Sequence, residues 1–432
     1  MFLRRLCIKN YKSLKNVEFR PTNLSVLVGP NGAGKSNFAS AVDFLSDVYR
    51  DGLETAVARK GGYENIAFRA HARCRSAIRF EVTIDVARAE SPVLSELHAI
   101  PGSSVDEEAG FRLTHTFSFR AQRRGIDAEF KIEDEGFEVR VKRVSGRSSE
   151  DYGFEAGLVR TEEGRISLSF RSGRKLGELR RHVTSEGETI NRSPHGLGQQ
   201  QLFAGVPSLA YVEELTRRVA SCRVFHIAPL MARGAGVPTP NPSLSVTGEN
   251  LPAVVAWLKK RRKRAWSTVL QAMQEIVPEL EDIEASYLHT NTLGLFFKET
   301  TSSRPWDAAD VSDGAIHALA LLVASVDTRS SALVIEEIEN SAHPWIVRTI
   351  MERLREVSKK KSVVLTTHSP IVVDGLRPSE TWVVYKKASE SIVKNILDID
   401  PTIGPAWEGG EFGLSDYLDS GLLPHAVPGG DL

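Results

Sequence analysis

Gly29-Pro30-Asn31-Gly32-Ala33-Gly34-Lys35-Ser36 has the spacing G-x-x-x-x-G-K-S, and the chemistry of that spacing is phosphate binding. Glycine lets the backbone wrap closely around phosphate oxygens, in dihedrals that bulkier residues avoid. Backbone N–H groups at a helix N-terminus then face the anion, aided by roughly +0.5 of a charge from the helix dipole. Lys35 is expected to reach the β- and γ-phosphates, and the Ser36 hydroxyl to ligate Mg²⁺. ATP and Mg²⁺ are therefore the expected cofactors, held by Asn31, Gly32, Ala33, Gly34, Lys35, Ser36 and Asn37.

About 300 residues later, Glu336 and Glu337 end an apolar run. In that position the first carboxylate holds Mg²⁺ through water, and the second orients or deprotonates the attacking water. His368, in Thr366-Thr367-His368-Ser369-Pro370, also ends an apolar run. An imidazole there can hydrogen-bond the γ-phosphate or the attacking water. Ser312-Asp313-Gly314 opens a helix, where a serine or aspartate suits the N-cap and free N–H groups form a second anion site. Each of these three features alone has a plainer reading: an exposed loop start, a structural histidine, a helix cap. Their order along the chain favours the catalytic one.

The elements that must position these residues are legible around them. Leu24-Ser25-Val26-Leu27-Val28 reads as a buried strand. Phe38, Ala41, Val42, Leu45, Val48 and Tyr49 recur at helical spacing after the loop. Ile78–Val86 alternates with period two, and residues 90–110 read as a loop. Phe111–Phe119, Ala128–Glu133, Phe137–Val144 and Arg165–Phe170 suggest an antiparallel meander with one wet face. Helices are expected at 207–221 and 249–276. Beyond 295 come a helix (Ala315–Val326), a strand (Ser331–Ile335), a helix (Trp345–Val357) and a strand (Ser362–Thr366). Such alternation implies a mostly parallel sheet with its ligand at the carboxyl edge.

The chain has 432 residues, 41% apolar and 25% charged, an ordinary globular balance. No stretch approaches the ~20 apolar residues of a membrane span, and Lys9, Lys12 and Lys15 interrupt any signal-peptide pattern. Cys7, Cys74 and Cys222 are odd in number and scattered, which fits a reducing cytoplasm and no zinc site. The 55 basic residues balance 55 acidic ones, so nucleic-acid binding must rest on local patches. There is no internal repeat and no heptad run.

Taken in order, these motifs resemble the ABC-type ATPase heads of the SMC and RecF class. More narrowly, the sequence is similar to RecF-like bacterial ATPases that include those of overcoming-lysogenization-defect (OLD) nucleases and Septu-type phage defence. The resemblance rests on Ile8-Lys9-Asn10-Tyr11-Lys12-Ser13-Leu14, Gly29–Ser36, Ser312–Gly314, Ile335–Pro344 and Thr366–Pro370. It is dense over 1–70 and 305–375 and thin between. It implies an α/β P-loop NTPase fold of ABC-type head, with a mostly parallel core sheet, an antiparallel β-subdomain and a helical insert. The expected divisions are an ATPase lobe at 1–206, the insert at 207–294, a second ATPase lobe at 295–400 and a tail at 401–432. It also implies an ATP-sandwich homodimer, or a higher oligomer, in which Ser312, Asp313 and Gly314 of one subunit close over the γ-phosphate of the other. Glu337, His368 and Lys35 would be catalytic, with Ser36 and Glu336 on the metal and Asn340–Pro344 between the two sites. The chain departs from the family in having Glu336 for the usual aspartate and Ile338 for a frequent proline. It also has no glutamine over 60–85 for a Q-loop.

Lys259, Lys260, Arg261, Arg262, Lys263 and Arg264 form the densest basic run, followed by Trp266. They read either as a solvated helix face or as contacts to DNA phosphates without sequence specificity. Arg120–Arg124 and Arg171–Arg181 are further patches. The 64 residues after His368 are too few for the nuclease domain of an OLD protein. Any cutting is expected from a separate effector nuclease subunit. The expected role is a Mg²⁺-dependent ATPase switch in the cytoplasm, plausible in anti-phage defence. The alternatives are a RecF-like repair ATPase and a nucleotide-gated scaffold with negligible hydrolysis. A transporter ATPase would need an L-S-G-G-Q signature that is missing.

Overall fold

The structure is a computed structural model and describes residues 2–68, 76–87, 110–122, 130–142, 152–160, 166–172, 202–203, 210–288, 291–410 and 412–420. In chain order the first elements are β1 (Phe2–Tyr11), β2 (Leu14–Phe19), β3 (Leu24–Val28), α1 (Lys35–Asp51) and β4 (Ile78–Ala87). Next come β5 (Gly110–Ala121), β6 (Phe130–Lys142), β7 (Tyr152–Arg160), β8 (Ile166–Ser172), α2 (Ala210–Ala220) and β9 (Arg223–Phe225). Then follow α3 (Leu251–Arg261), α4 (Lys263–Ile276), β10 (Leu280–Tyr287), β11 (Leu293–Glu299), β12 (Trp306–Asp307) and α5 (Asp313–Val326). The last are β13 (Ala332–Ile335), α6 (Pro344–Ser358), β14 (Ser362–Thr367), β15 (Thr381–Lys387) and β16 (Glu390–Asn395), with shorter helical turns after them.

The chain forms two compact units, and each is discontinuous. One comprises Met1–Thr22, Ser40–Cys222 and Tyr385–Lys394; the other comprises Asn23–Ala39, Arg223–Val384 and Asn395–Leu432. The boundaries expected near 206, 294 and 400 fall within these units.

The first unit is built on a sheet in the order β2-β1-β4-β5-β6-β7-β8, antiparallel from each strand to the next. Alternation in β4 puts Ile78, Phe80, Val82, Ile84 and Val86 in the core, while Arg79, Glu81 and Asp85 keep contact with solvent. Phe44 of α1 lies 5.5 Å from the Tyr11 ring and 5.6 Å from Phe80, in the aromatic spacing that favours tilted pairs. A polar chain crosses this core. Tyr49 bonds His115 at 2.5 Å, His115 bonds Glu135 at 3.1 Å, and Arg160 closes on Glu135 at 2.9 Å. The two strands expected at Ala128–Glu133 and Phe137–Val144 form the single strand β6. Gly136 stays in register opposite Thr116 and Val159 instead of turning. β7 lies in a stretch where no strand was expected.

The second unit holds the parallel sheet, ordered β15-β3-β14-β13-β9. Every residue of β3, β13 and β14 is buried, as their continuous apolar runs require in a sheet covered on both faces. α5 is buried from Gly314 to Ser325, which explains its nearly unbroken apolar sequence. The segment 207–294 is not purely helical, because β9 enters the parallel sheet and β10 and β11 pair antiparallel. The expected helix 249–276 breaks at Arg262, whose φ of −133° and ψ of 51° leave the helical region. Leu258 and Trp266 are both buried, yet at about 100° per residue they lie about 80° apart on a straight helix. The break lets each half bury its own stripe. Among the described residues no helix is long and apolar enough to cross a membrane.

Candidate functional site

β3 lies between β15 and β14, so the loop that follows it emerges at the carboxyl edge of the parallel sheet. Gly29 is required there by close approach: an added Cβ would sit 2.0 Å from the Val384 carbonyl oxygen. Gly32 and Gly34 take φ of 74° and 116°, conformations that side chains disfavour. Asn31, Gly32 and Ser36 are exposed, Asn37 is half-buried, and Ala33, Gly34 and Lys35 are buried.

Lys35 turns back over its own loop. Its ammonium donates to the carbonyls of Gly29 at 2.7 Å and Pro30 at 3.0 Å, and lies 3.3 Å from His368 Nδ1. Burial lowers its pKa to about 8, against the opposing pull of Glu339 and Glu337. His368 is shifted below the ordinary imidazole value, first by burial and then by the Lys35 charge, and is therefore neutral near pH 7.

Glu336 and Glu337 follow β13. The Glu336 backbone N–H bonds the Phe225 carbonyl of β9 at 2.8 Å, and its side chain is half-buried. Glu337 adopts a φ of 50°, a left-handed conformation uncommon for glutamate, and its N–H donates to Thr366 Oγ1 at 3.0 Å. That bond ties the carboxylate turn to β14. A second tie is made by Glu339, to which no role had been given. One carboxylate oxygen accepts from Thr367 Oγ1 at 2.9 Å, the other from the His368 backbone N–H at 2.5 Å. The E-x-E spacing of Glu337 and Glu339 was visible in the sequence. Its meaning depended on β14 being the neighbour of β13.

Ser312 caps α5, its hydroxyl accepting from Ala315 N–H at 3.3 Å. Ser312 and Asp313 are exposed, and Asp313 is ion-paired with Arg233. Gly314 is buried against the turn after Glu339: a Cβ there would meet the Ser341 carbonyl at 2.8 Å. One turn on, His317 is fully buried near Asn340 and His226, and neither ring nitrogen has a partner at hydrogen-bonding geometry. Burial drives its pKa down to about 4.

The loop, the Glu336–Glu339 turn and His368 therefore converge at adjacent strand ends. Ser36 and Glu336 offer a hydroxyl and a carboxylate, hard oxygen donors that suit Mg²⁺. No group of three or more His, Cys, Asp or Glu side chains is placed to cage a metal among the described residues. Such an ion would draw its other ligands from phosphate and water. The basic run lies elsewhere in the unit, at the α3–α4 break. Lys259 is committed to Asp282 at 2.8 Å and the Ile283 carbonyl at 2.7 Å. In the first unit Arg120 pairs with Glu133, while Arg123, Arg124 and residues 173–181 lie outside the described residues.

A family model described as "AAA domain, putative AbiEii toxin, Type IV TA system" matches residues 24–374. Among solved structures, an Smc head bound to the C-winged helix domain of ScpA is 14% identical. It covers 91% of this chain and 97% of that one, with a TM-score of 0.44. The SMC head domain from Thermotoga maritima is 12% identical and covers 91% and 99%, with a TM-score of 0.40. An Smc head with an extended coiled coil, bound to the C-terminal domain of ScpA and derived from Pyrococcus furiosus, is 11% identical. It covers 91% and 95%, with a TM-score of 0.43. No curated protein matches.

Proposed function

The chain belongs to the AAA-domain family described as putative AbiEii toxin, Type IV TA system, and from that premise we propose that it is an ATP-hydrolysing switch. ATP and Mg²⁺ bind at Asn31–Asn37 with Glu336, and two copies close on the nucleotide. The observation that carries this reading is the convergence of Lys35, Glu337, Glu339 and His368 at one sheet edge. A phosphate placed at the loop would take Lys35 from the Gly29 and Pro30 carbonyls. It would then lie beside a carboxylate able to accept a proton from water and a neutral imidazole able to hydrogen-bond an oxygen. When bound, Mg²⁺ supplies charge neutralisation on the phosphate oxygens.

Ser312 and Asp313 are exposed at the start of α5, and Trp345 at the start of α6 is 58% exposed. These features support a second copy completing the site, with Ser312–Gly314 as its contribution. Closure regulates engagement of nucleic acid or of a separate effector, a nuclease in an anti-phage system of the OLD or Septu kind. The toxin–antitoxin wording of the family description supports an effector under control.

Glu337→Gln tests this reading. It keeps shape and the left-handed turn but cannot take a proton, so the variant retains ATP and accumulates as a dimer, with turnover down by about 100-fold or more. Steady-state phosphate release and size-exclusion with light scattering measure both. Hydrolysis at the unaltered rate in Glu337→Gln sinks the assignment, whereas a negligible rate in the unaltered protein, with ATP-dependent dimers, supports a nucleotide-gated scaffold.

A further inference from the structure

The break at Arg262 gathers cations at a corner and opens a cavity beneath them. Lys259 is neutralised by Asp282, but Lys260, Arg261, Arg262, Lys263 and Arg264 are all exposed. None of the five pairs with a carboxylate among the described residues. They line one side of a cavity of about 470 Å³, whose other side includes Trp257 and Arg329. Arg329 is rigidly held: its guanidinium bonds both Asp327 carboxylate oxygens at 2.8 and 2.7 Å, Asn241 Oδ1 at 2.9 Å and the Pro242 carbonyl at 2.8 Å. It lies 4.8 Å from the centre of the Trp257 ring, and Arg262 lies 5.7 Å from the same ring. The cavity thus has a fixed wall of indole and guanidinium and an exposed rim of cations that no carboxylate neutralises among the described residues.

We propose that this corner captures single-stranded nucleic acid, with one base against the Trp257–Arg329 wall and the flanking phosphates along Lys260–Arg264. The inference rests on the reading that the chain engages nucleic acid and specifies where and in what form. Planar bases stack on indole and guanidinium faces whatever their identity. A duplex hides those base faces, which argues for a single strand. An acidic peptide would satisfy the charges but would bring no ring to the wall. The cavity volume suits one small ligand unit and not a helix.

Fluorescence anisotropy with the full chain tests this, using an oligothymidine of about 12 nucleotides, an abasic strand of equal length, the matching duplex and polyglutamate. Oligothymidine is expected to bind about tenfold or more tighter than the abasic strand at the same salt. Trp257→Leu should erase that difference and leave the salt dependence unchanged, while Trp257→Phe restores part of it. Replacing Lys260, Arg261, Lys263 and Arg264 together by glutamate should abolish binding of both strands, with thermal melting as the check on folding. Equal binding of the two strands to the unaltered protein, tighter binding of the duplex, or displacement by polyglutamate each overturns the proposal. Unchanged oligothymidine binding by the fourfold variant overturns the location alone and leaves nucleic-acid engagement standing. If the unaltered protein binds neither strand nor the duplex, the engagement reading falls with it.

Discussion

At the scale of single residues, Glu339 is the side chain that joins the two halves of the candidate site. It spans from the turn after β13 to the end of β14, so the position of His368 depends on a carboxylate that need not touch nucleotide at all. Glu339→Ala should therefore leave nucleotide affinity within about threefold and lower kcat by roughly 10- to 100-fold, since small misplacements at a reacting centre carry penalties of that size. Titration with a fluorescent ATP analogue and steady-state turnover separate the two effects; a change confined to affinity would refute the positioning role. Lys35 and the glycines around it were legible because their chemistry is local to eight residues. Glu339 was not, because the Thr367 hydroxyl and the His368 N–H that it accepts from lie at the end of a strand that only the fold brings beside it. The left-handed Glu337 was equally hidden, as nothing in Ile335-Glu336-Glu337-Ile338 announces a positive φ.

The element that links the exposed Ser312 to the carboxylate turn is α5. Gly314 lets it approach the Ser341 backbone, and His317 sits one turn deeper without hydrogen-bond partners. The folded-state pKa of His317, about 4, lies below its ordinary 6.5. The unfolded chain therefore binds the proton more readily, and stability falls as pH drops from about 6.5 towards 4. At pH 5 this amounts to about 2 kcal/mol. Urea unfolding at pH 7 and pH 5 should show His317→Leu losing about that much less stability than the unaltered chain over the interval. An equal loss in both would mean that the ring is solvated or paired. The α/β alternation beyond 295 was readable because continuous apolar runs mark strands buried on both faces. The break at Arg262 was not, since no glycine or proline marks it and only the drift of the apolar stripe from Leu258 to Trp266 records it.

Across the whole molecule, each compact unit is assembled from three separate stretches of chain. The loop at Gly29–Ser36 belongs with β13 and β14, whereas the chain up to Thr22 and again from Ser40 belongs to the other unit. A fragment ending at Cys222 keeps the complete loop sequence but lacks β9, β13, β14 and β15, and should not bind nucleotide at concentrations that saturate the full chain. Equilibrium dialysis with radiolabelled ATP would decide, and binding by the fragment would mean that the loop is autonomous. Sequence reading assigned contiguous divisions because composition changes locally; which stretches share a core is set by strand pairing across the chain, as between Val26 and Leu365. That pairing has a consequence in time. On the ribosome, β3 leaves the exit long before β14 exists. At about 5–20 residues per second, the strand bearing the phosphate loop waits on the order of 17 to 70 s for its neighbour. Until then a growing chain carries the motif without the sheet edge that aims it, so the site can form only after β14 has been made.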